Sequence, residues 1–195
     1  MVENLSKKSI LKEIALTEKE IDASLDRICG ALLQKSPRLS ETILVGIRTG
    51  GVFIAERLRL KILYATGLDL PAGIMDITLY RDDWTLRTQT PEVKKTEIPF
   101  AVEGKRILLV DDVLFTGRTI RAALDALLDL GRPRSVELAV LIDRGHRELP
   151  ICANYVGHTL ETARSDSIDV ELKELKGIDQ VVIEYGKDPD DTPEP

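Results

Sequence analysis

The chain has 195 residues, of which 43% are hydrophobic and 31% are charged, and its formal net charge is −6 at pH 7. This composition is typical of one globular domain with a proper core, and the acidic balance excludes a broad basic surface that binds nucleic acid indiscriminately. No apolar run approaches the roughly 18 residues of a membrane-spanning helix. The charged first residues lack an apolar signal-peptide core, and Cys29 and Cys152 have apolar flanks, so we expect reduced thiols in the cytoplasm.

The first predicted elements are a helix, a strand and a second helix. Thr17 and Glu20 have the spacing of a capping box, and apolar residues at helical spacing follow, which predicts an amphipathic helix over roughly 18–35. Residues 43–47 form a short apolar run typical of a buried strand, and a glycine-rich turn at 48–51 follows it. The helix predicted after this turn presents an apolar stripe of Ile54, Ala55, Leu58 and Ile62.

The rest of the chain continues this alternation. A strand is predicted at residues 73–80. A long polar loop is predicted at residues 81–99, and a loop of this length in a compact domain is usually functional or disordered. Strands alternating with helices predict a parallel α/β sheet with its sites at the carboxyl ends of the strands. The elements predicted beyond the loop are a strand at 107–110, a helix at about 118–130, strands at 136–142, 153–156 and 180–185, and a frayed acidic tail at 187–195.

The run 107–119 carries the most chemistry. Asp111 and Asp112 stand where the apolar strand ends, and a small polar loop, 116–119, opens the next helix. A helix start offers free N–H groups and a positive dipole end to a phosphate, and paired carboxylates accept hydrogen bonds from sugar hydroxyls or hold a metal. Asp-Asp alone is more often an ordinary turn, whereas the whole run favours a phosphorylated sugar. A response-regulator receiver domain also has paired aspartates, but near its chain start and without this loop.

The glycine-rich turn at 48–51 is a second candidate anion site, besides the loop at 116–119. The turn at 48–51 also follows an apolar strand, so both turns are predicted to open on the same edge of the sheet. That edge then offers two phosphate-sized anion sites with two carboxylates beside them. A ligand with a phosphate at one end and a pyrophosphate at the other fits this arrangement, although Gly-Gly after a strand is often only a turn.

The run 107–119 resembles the signature of type I phosphoribosyltransferases, which bind phosphoribosyl pyrophosphate (PRPP). Together with it, residues 76–83 and 141–150 resemble the PyrR family over roughly residues 15–185. Members of that family are uracil phosphoribosyltransferases that in many bacteria also attenuate pyrimidine-operon transcription by binding its mRNA. The resemblance implies the α/β type I phosphoribosyltransferase fold, in which helices flank a central five-stranded parallel sheet and a small hood lies above it.

The resemblance also implies the reaction and its partners. Uracil and PRPP would give UMP and pyrophosphate, with Mg²⁺ bound mainly through PRPP and no protein side chain assigned as a direct metal ligand. The chain would divide into an N-terminal extension (1–16), a phosphoribosyltransferase domain (17–186) and the tail (187–195). A homo-oligomer, a dimer or larger, is expected.

Site roles follow from the resemblance by position. Asp111 and Asp112 would hold the ribose hydroxyls, and Arg81, at the base of the closing loop 81–99, would complete the catalytic group. The uracil hood would comprise Asp143, Thr162, Ala163 and Arg164. The RNA-contacting candidates are Arg27, Arg48, Arg144 and Arg147, for which solvated surface or intrachain pairing is an equally good explanation. The PRPP-binding set comprises Arg48, Thr49, Gly50, Gly51, Asp111, Asp112, Val113, Leu114, Phe115, Thr116, Gly117, Arg118 and Thr119.

The chain departs from the family pattern at two places. The pyrophosphate loop commonly reads Thr-Arg-Gly, but Gly50 replaces the arginine here, which leaves Arg48 as the adjacent guanidinium. Asp26, Gly30 and Cys152 replace polar or basic residues that RNA-binding members carry, and the charge changes oppose a phosphate backbone. Two alternatives stay open: an RNA-binding attenuator and nucleotide sensor with weak transferase activity, and a transferase for a purine base, since base preference cannot be read from the hood.

Overall fold

A computed structural model of the chain describes residues 11–35, 39–82 and 95–186. The predicted tail and most of the loop 81–99 fall outside these ranges. The helices are α1 (Glu18–Lys35), α2 (Gly50–Thr66), α3 (Arg118–Asp129) and α4 (Lys173–Lys176), with short 3₁₀ turns at Leu39–Glu41 and Thr78–Tyr80. The strands are β1 (Leu11–Thr17), β2 (Thr42–Ile47), β3 (Ala72–Met75), β4 (Arg106–Leu114), β5 (Ser135–Asp143), β6 (Tyr155–Thr159), β7 (Ser167–Glu171) and β8 (Gln180–Tyr185).

The central sheet has five parallel strands in the order β3-β2-β4-β5-β6. Every residue of β2 is buried, which explains its unbroken apolar sequence, because a strand covered on both faces needs no polar alternation. Strands β2 and β4 are neighbours in a register that pairs Gly46 with Val110, so their carboxyl ends lie side by side. The predicted α/β class and the five-stranded parallel sheet are confirmed.

Helices cover both faces of this sheet. Along β4, Leu108 and Val110 face the core shared with α1 and α2, whereas Ile107 and Leu109 face the core shared with α3. One half of the predicted capping box is formed at the start of α1, since the backbone N–H of Thr17 donates to Glu20 Oε2 at 2.8 Å; the Thr17 hydroxyl also donates to this carboxylate, at 2.7 Å. The predicted extents of α1 and α3 agree with the structure to within one residue.

A second, antiparallel sheet has three strands in the order β1-β8-β7. Of these strands, β8 is predicted from the sequence, whereas β1 and β7 are not. Strand β1, which pairs Leu11 with Tyr185, includes residues of the predicted N-terminal extension. Its Leu11 and Ile14 are 69% and 57% exposed, so β1 lacks the clean alternation of a half-buried strand.

Three predicted strands differ in extent from the structure. The one predicted at 107–110 is β4, which runs from Arg106 to Leu114, so Asp111 and Asp112 lie within the strand and not beyond its end. The strand predicted at 73–80 ends at Met75, because the Asp76 carboxylate accepts the Thr78 N–H at 2.9 Å and turns the backbone into a 3₁₀ turn. The strand predicted at 153–156 begins at Tyr155 and extends to Thr159. Within the described ranges, no helix is both long enough and apolar enough to cross a membrane.

Candidate active site

The adjacent ends of β2 and β4 bring the start of α2 into direct contact with the paired aspartates. A Cβ atom built on Gly50 would lie 2.1 Å from Asp112 Oδ2, and one built on Gly51 would lie 2.3 Å from the Val110 carbonyl oxygen. Only glycine therefore allows the backbone to approach β4 this closely. The peptide bond that precedes this helix, between Arg48 and Thr49, is cis.

Two helix N-termini open on this edge, and neither N-cap residue caps its helix through its own side chain; at α3 the Arg118 N–H donates to the Thr116 hydroxyl at 3.4 Å. Thr49, the N-cap of the 17-residue α2, makes no capping hydrogen bond through its side chain. The N-cap of the 12-residue α3 is Gly117, which has a φ of 93° and no side chain to cap with. Because the first N–H groups of a helix lack intrahelical partners, both termini offer donors and a positive dipole end to an anion.

The paired carboxylates differ in environment. Asp111 is 5% exposed and its Oδ1 accepts the Asp112 N–H at 3.0 Å, whereas Asp112 is less buried and its Oδ1 accepts the Val113 N–H at 2.8 Å. Burial, and then the charge of Asp112, raises the pKa of Asp111 well above its ordinary value, while the charge of Arg81 opposes this rise. Burial also raises the pKa of Asp112. The pair therefore gains from any ligand that brings hydroxyl donors or a cation.

The raised pKa of Asp111 predicts a pH-dependent stability. A carboxyl whose pKa is higher in the folded than in the unfolded state contributes stability below the unfolded value of about 3.9, and that contribution is lost as pH rises through the folded value. We therefore expect Asp111→Asn to raise the melting temperature of the ligand-free protein at pH 7 and to leave it nearly unchanged at pH 4. Melting curves from pH 4 to 8 check this. A variant less stable than wild type at pH 7, or a difference independent of pH, contradicts it.

The two arginines predicted beside PRPP lie close to this edge. Arg48 donates through one guanidinium nitrogen to the Lys95 carbonyl at 3.3 Å and stands 3.8 Å from the Glu97 carboxylate. Its buried Nε makes no hydrogen bond to any described residue. Arg81 is near enough to Asp111 for its positive charge to oppose the rise in the pKa of that carboxyl. Both arginines thus border the two described ends of the predicted closing loop.

An ion-pair chain ties the phosphate loop to its neighbours. Arg118 donates to Asp82 at 2.6 Å and to Glu148 at 2.7 Å, and Glu148 also pairs with Arg164. The hydrogen bond from Arg118, followed by that from Arg164, lowers the pKa of Glu148. The sequence analysis did not name Glu148 as a site residue, although its position inside the 141–150 motif offered a signal.

The residues predicted for the uracil hood also meet at this edge. Asp143 ends β5 opposite Leu114 in the register, and it accepts the Gly145 N–H at 3.0 Å. Thr162 and Ala163 follow β6 and are both hydrogen-bonded to Arg144, through the Thr162 hydroxyl at 3.2 Å and the Ala163 carbonyl at 2.9 Å. The structure brings these positions together beside the phosphate loop, and their roles toward uracil stay predictions.

The arginines predicted to contact RNA do not share one exposed surface. Arg27 is exposed on α1 and donates to the Gly157 carbonyl. Arg144 is 5% exposed. The negative charge at Asp26 pairs with Lys61 at 2.7 Å. Arg147 points inward, where its guanidinium pairs with the carboxylate of Asp143 and donates to the backbone carbonyls of Leu114, Phe115, Gly145 and Ile151.

Comparison with known proteins decides the family. A family model described as phosphoribosyl transferase domain matches residues 17–174. The "Bifunctional protein PyrR" of Halalkalibacterium halodurans is 48% identical over 176 residues, which cover 89% of this chain and 98% of the relative. The one from Chloroflexus aurantiacus is 52% identical over 171 residues, which cover 88% and 94%. The chain belongs to the PyrR family. It is therefore a phosphoribosyltransferase.

Solved structures agree with this PyrR-family assignment at the level of the fold. The hypoxanthine phosphoribosyltransferase of Trypanosoma cruzi aligns with a TM-score of 0.66 and 17% identity over 90% of this chain and 97% of its own. A hypoxanthine phosphoribosyltransferase from Staphylococcus aureus aligns with a TM-score of 0.65 and 23% identity over 96% and 98%. At such identities the likeness confirms the type I phosphoribosyltransferase fold and carries no information on the base.

Proposed function

We propose that this PyrR-family chain transfers the phosphoribosyl group of PRPP to uracil and forms UMP and pyrophosphate. The observation that carries the proposal is the meeting of two helix N-termini around one pair of carboxylates. PRPP has a pyrophosphate and a phosphate at opposite ends of a ribose, and this edge offers an anion site on each side of a group that accepts hydroxyl hydrogen bonds.

Each part of the site has a task in this reaction. The start of α2 would bind the pyrophosphate, and residues 116–119 at the start of α3 would bind the 5-phosphate. Asp111 and Asp112 would accept hydrogen bonds from the ribose hydroxyls and balance positive charge on the sugar. Residues 143 and 162–164 would hold uracil so that its ring nitrogen faces the anomeric carbon.

The bond changes follow from this geometry. The ring nitrogen of uracil bonds to the anomeric carbon, the bond to pyrophosphate breaks, and its electron pair leaves with the pyrophosphate. The proton on that nitrogen would pass to the departing pyrophosphate. Hydrogen bonds from the start of α2 would stabilise the departing charge, and closure of the loop 81–99 would keep water from the cation-like sugar.

Mg²⁺ fits this site as a companion of the substrate. Carboxylate oxygens are ligands that Mg²⁺ accepts, and the raised pKa of Asp111, which burial and the charge of Asp112 cause, supports a gain from a nearby cation. Across the described residues, no group of three or more His, Cys, Asp or Glu side chains is placed to hold a metal ion. Asp111 and Asp112 would therefore assist a metal held mainly by pyrophosphate, where it would neutralise the leaving group.

Formation of UMP tests the proposal. The purified chain, PRPP and Mg²⁺ are incubated with uracil or, in a parallel reaction, with hypoxanthine. We expect UMP from uracil and little product from hypoxanthine. Absence of UMP contradicts the proposed substrate, and a purine nucleotide in its place supports the purine alternative.

Regulation of a pyrimidine operon is the second candidate function. The name of the relatives, "Bifunctional protein PyrR", favours a second activity, which would be uridine-nucleotide-dependent binding of pyrimidine-leader mRNA. The inward contacts of Arg144 and Arg147 leave these two guanidiniums little capacity for a phosphate backbone. Titration of leader RNA with and without UMP distinguishes the cases. Nanomolar binding that requires UMP supports regulation, and its absence leaves the transferase activity alone.

The location and assembly of the chain complete the proposal. Cys29 is buried and Cys152 is exposed, and both are free thiols, which supports a reducing cytoplasm. The homo-oligomer stays a prediction, to be measured by sedimentation.

A further inference from the structure

Phe115, which directly precedes the phosphate loop (residues 116–119), lies among cationic side chains. The guanidinium carbon of Arg144 is 4.1 Å from the centroid of the Phe115 ring, and that of Arg164 is 5.9 Å away. The His146 ring meets Phe115 edge-on, with centroids 5.9 Å apart and planes at 74°. Phe115 therefore connects the phosphate loop to the segment after β5 and to the hood.

Arg144 contacts both the residues before the phosphate loop and the residues that follow β6. Its backbone N–H donates to the Leu114 carbonyl at 3.1 Å, and its guanidinium stacks on Phe115, so it is fixed to the segment that precedes the phosphate loop. On the other side, the guanidinium donates to the Thr162 hydroxyl at 3.2 Å and to the Ala163 carbonyl at 2.9 Å. His146 adds a contact between its Nε2 and the Thr162 carbonyl oxygen at 2.6 Å.

The burial of Arg144 makes these contacts informative. The residue is 5% exposed, and an arginine removed from water to this extent is retained only where its donors are satisfied. Asp166 is the carboxylate that acts on its charge, and Asp166 in turn accepts the Ala163 N–H at 2.7 Å. The guanidinium of Arg144 thus reaches Thr162 through the threonine hydroxyl and Ala163 through its backbone carbonyl, while it stacks on Phe115.

We infer that Arg144 is a positioning residue that holds the uracil subsite in register with the phosphate loop. The inference rests on the proposed function. The guanidinium fixes Thr162 and Ala163 relative to Phe115, so the base would be presented at a set distance from the sugar bound by the adjoining loop 116–119. Arg144 itself does not touch the reacting atoms.

Steady-state kinetics of two variants test this role. Arg144→Met keeps the apolar stem and removes the fork that holds Thr162 and Ala163, and Phe115→Leu removes the ring on which that fork stacks. We expect each variant to raise the KM for uracil roughly 10-fold, since small displacements of a positioned group have large effects. Because Arg144 lies outside the PRPP-binding set, Arg144→Met should change the dissociation constant for PRPP less than about twofold. The double variant should be little worse than either single one.

Arg134→Met is the matched control. Arg134 precedes β5, its side chain is 55% exposed, and it pairs with Glu41 at 3.4 Å, so its removal should leave both constants unchanged. Arg144→Lys keeps the charge without the planar fork and should recover part of the uracil affinity.

The outcomes separate this inference from the function on which it rests. A wild-type protein that makes no UMP overturns the proposed function and this inference with it. An active wild type whose Arg144→Met variant raises both constants equally, or changes only the melting temperature, overturns the inference alone. If Arg144→Met fails to fold, the ratio of the two constants in Arg144→Lys decides the question in the same way.

Discussion

Asp112→Asn is expected to lower kcat/KM for PRPP about 100-fold while the chain stays folded. The amide oxygen of asparagine can still accept the Val113 N–H that Asp112 Oδ1 accepts at 2.8 Å, so the local backbone is kept. The variant loses the negative charge that we propose faces the ribose hydroxyls and the cation-like sugar, and a hydrogen bond to a charged group contributes about 1.5–3 kcal/mol. Initial rates of UMP formation over a range of PRPP concentrations measure the change.

The control for this variant is a carboxylate outside the site. Asp125 lies on α3, its side chain is 50% exposed, and it pairs with Arg121 four residues earlier, so Asp125→Asn should change neither rate nor stability appreciably. Unchanged activity in Asp112→Asn removes Asp112 from the site. A melting temperature that falls in parallel with activity assigns it a structural role instead.

The local pattern of the sequence was sufficient to find the two glycine-rich turns and the aspartates. Buried parallel strands have unbroken apolar runs, and Gly51 and Gly117 mark where the backbone needs freedom, so these signals lie within a few residues of each other. The meeting of the two turns followed from the rule that sites in parallel sheets lie at the carboxyl ends of strands. These predictions needed no knowledge of distant contacts.

The contacts that local pattern could not supply are those between distant segments. Strand β1 is defined by its pairing with β8, and nothing in its exposed Leu11 and Ile14 indicates that partner. Arg144 and Arg147 read equally well as surface or paired residues, because only the tertiary fold brings the carbonyls of 114, 115 and 163 to them. Glu148 is likewise defined by two arginines that lie 16 and 30 residues away in the sequence.

The structure also gives a physical context for the missing arginine of the pyrophosphate loop. Any side chain at Gly50 would place its Cβ 2.1 Å from Asp112 Oδ2 and 2.9 Å from Asp112 Cβ. The position of the Asp112 side chain in this chain therefore depends on glycine at residue 50. The glycine that replaces the arginine of the family pattern thus leaves space for the Asp112 carboxylate in this position. Arg48 remains as the neighbouring guanidinium.

Gly51→Ala is expected to have the second large effect, on activity and stability together. Its Cβ would lie 2.3 Å from the Val110 carbonyl oxygen and 2.9 Å from Asp111 Cα, and both are backbone atoms that no side-chain rotation can move. The start of α2 must then shift away from β4, which separates the proposed pyrophosphate site from the carboxylates. We expect UMP formation to fall about 100-fold. We also expect the melting temperature to fall by about 5 °C, since overpacking costs roughly 1–3 kcal/mol.

Gly30→Ala is the control that separates the position from the substitution. Gly30 lies within α1, and a Cβ built there meets no atom within 4 Å. The same change should therefore stabilise the chain by up to about 1 kcal/mol, because alanine loses less backbone freedom in a helix, and leave UMP formation unchanged. If α2 contacts β4 as described, melting curves show that Gly51→Ala is destabilised and Gly30→Ala is stabilised. Initial rates then fall in Gly51→Ala alone. A Gly51→Ala variant that keeps wild-type activity shows that the site tolerates a wider separation of α2 from the aspartates, and it removes the close approach from the mechanism.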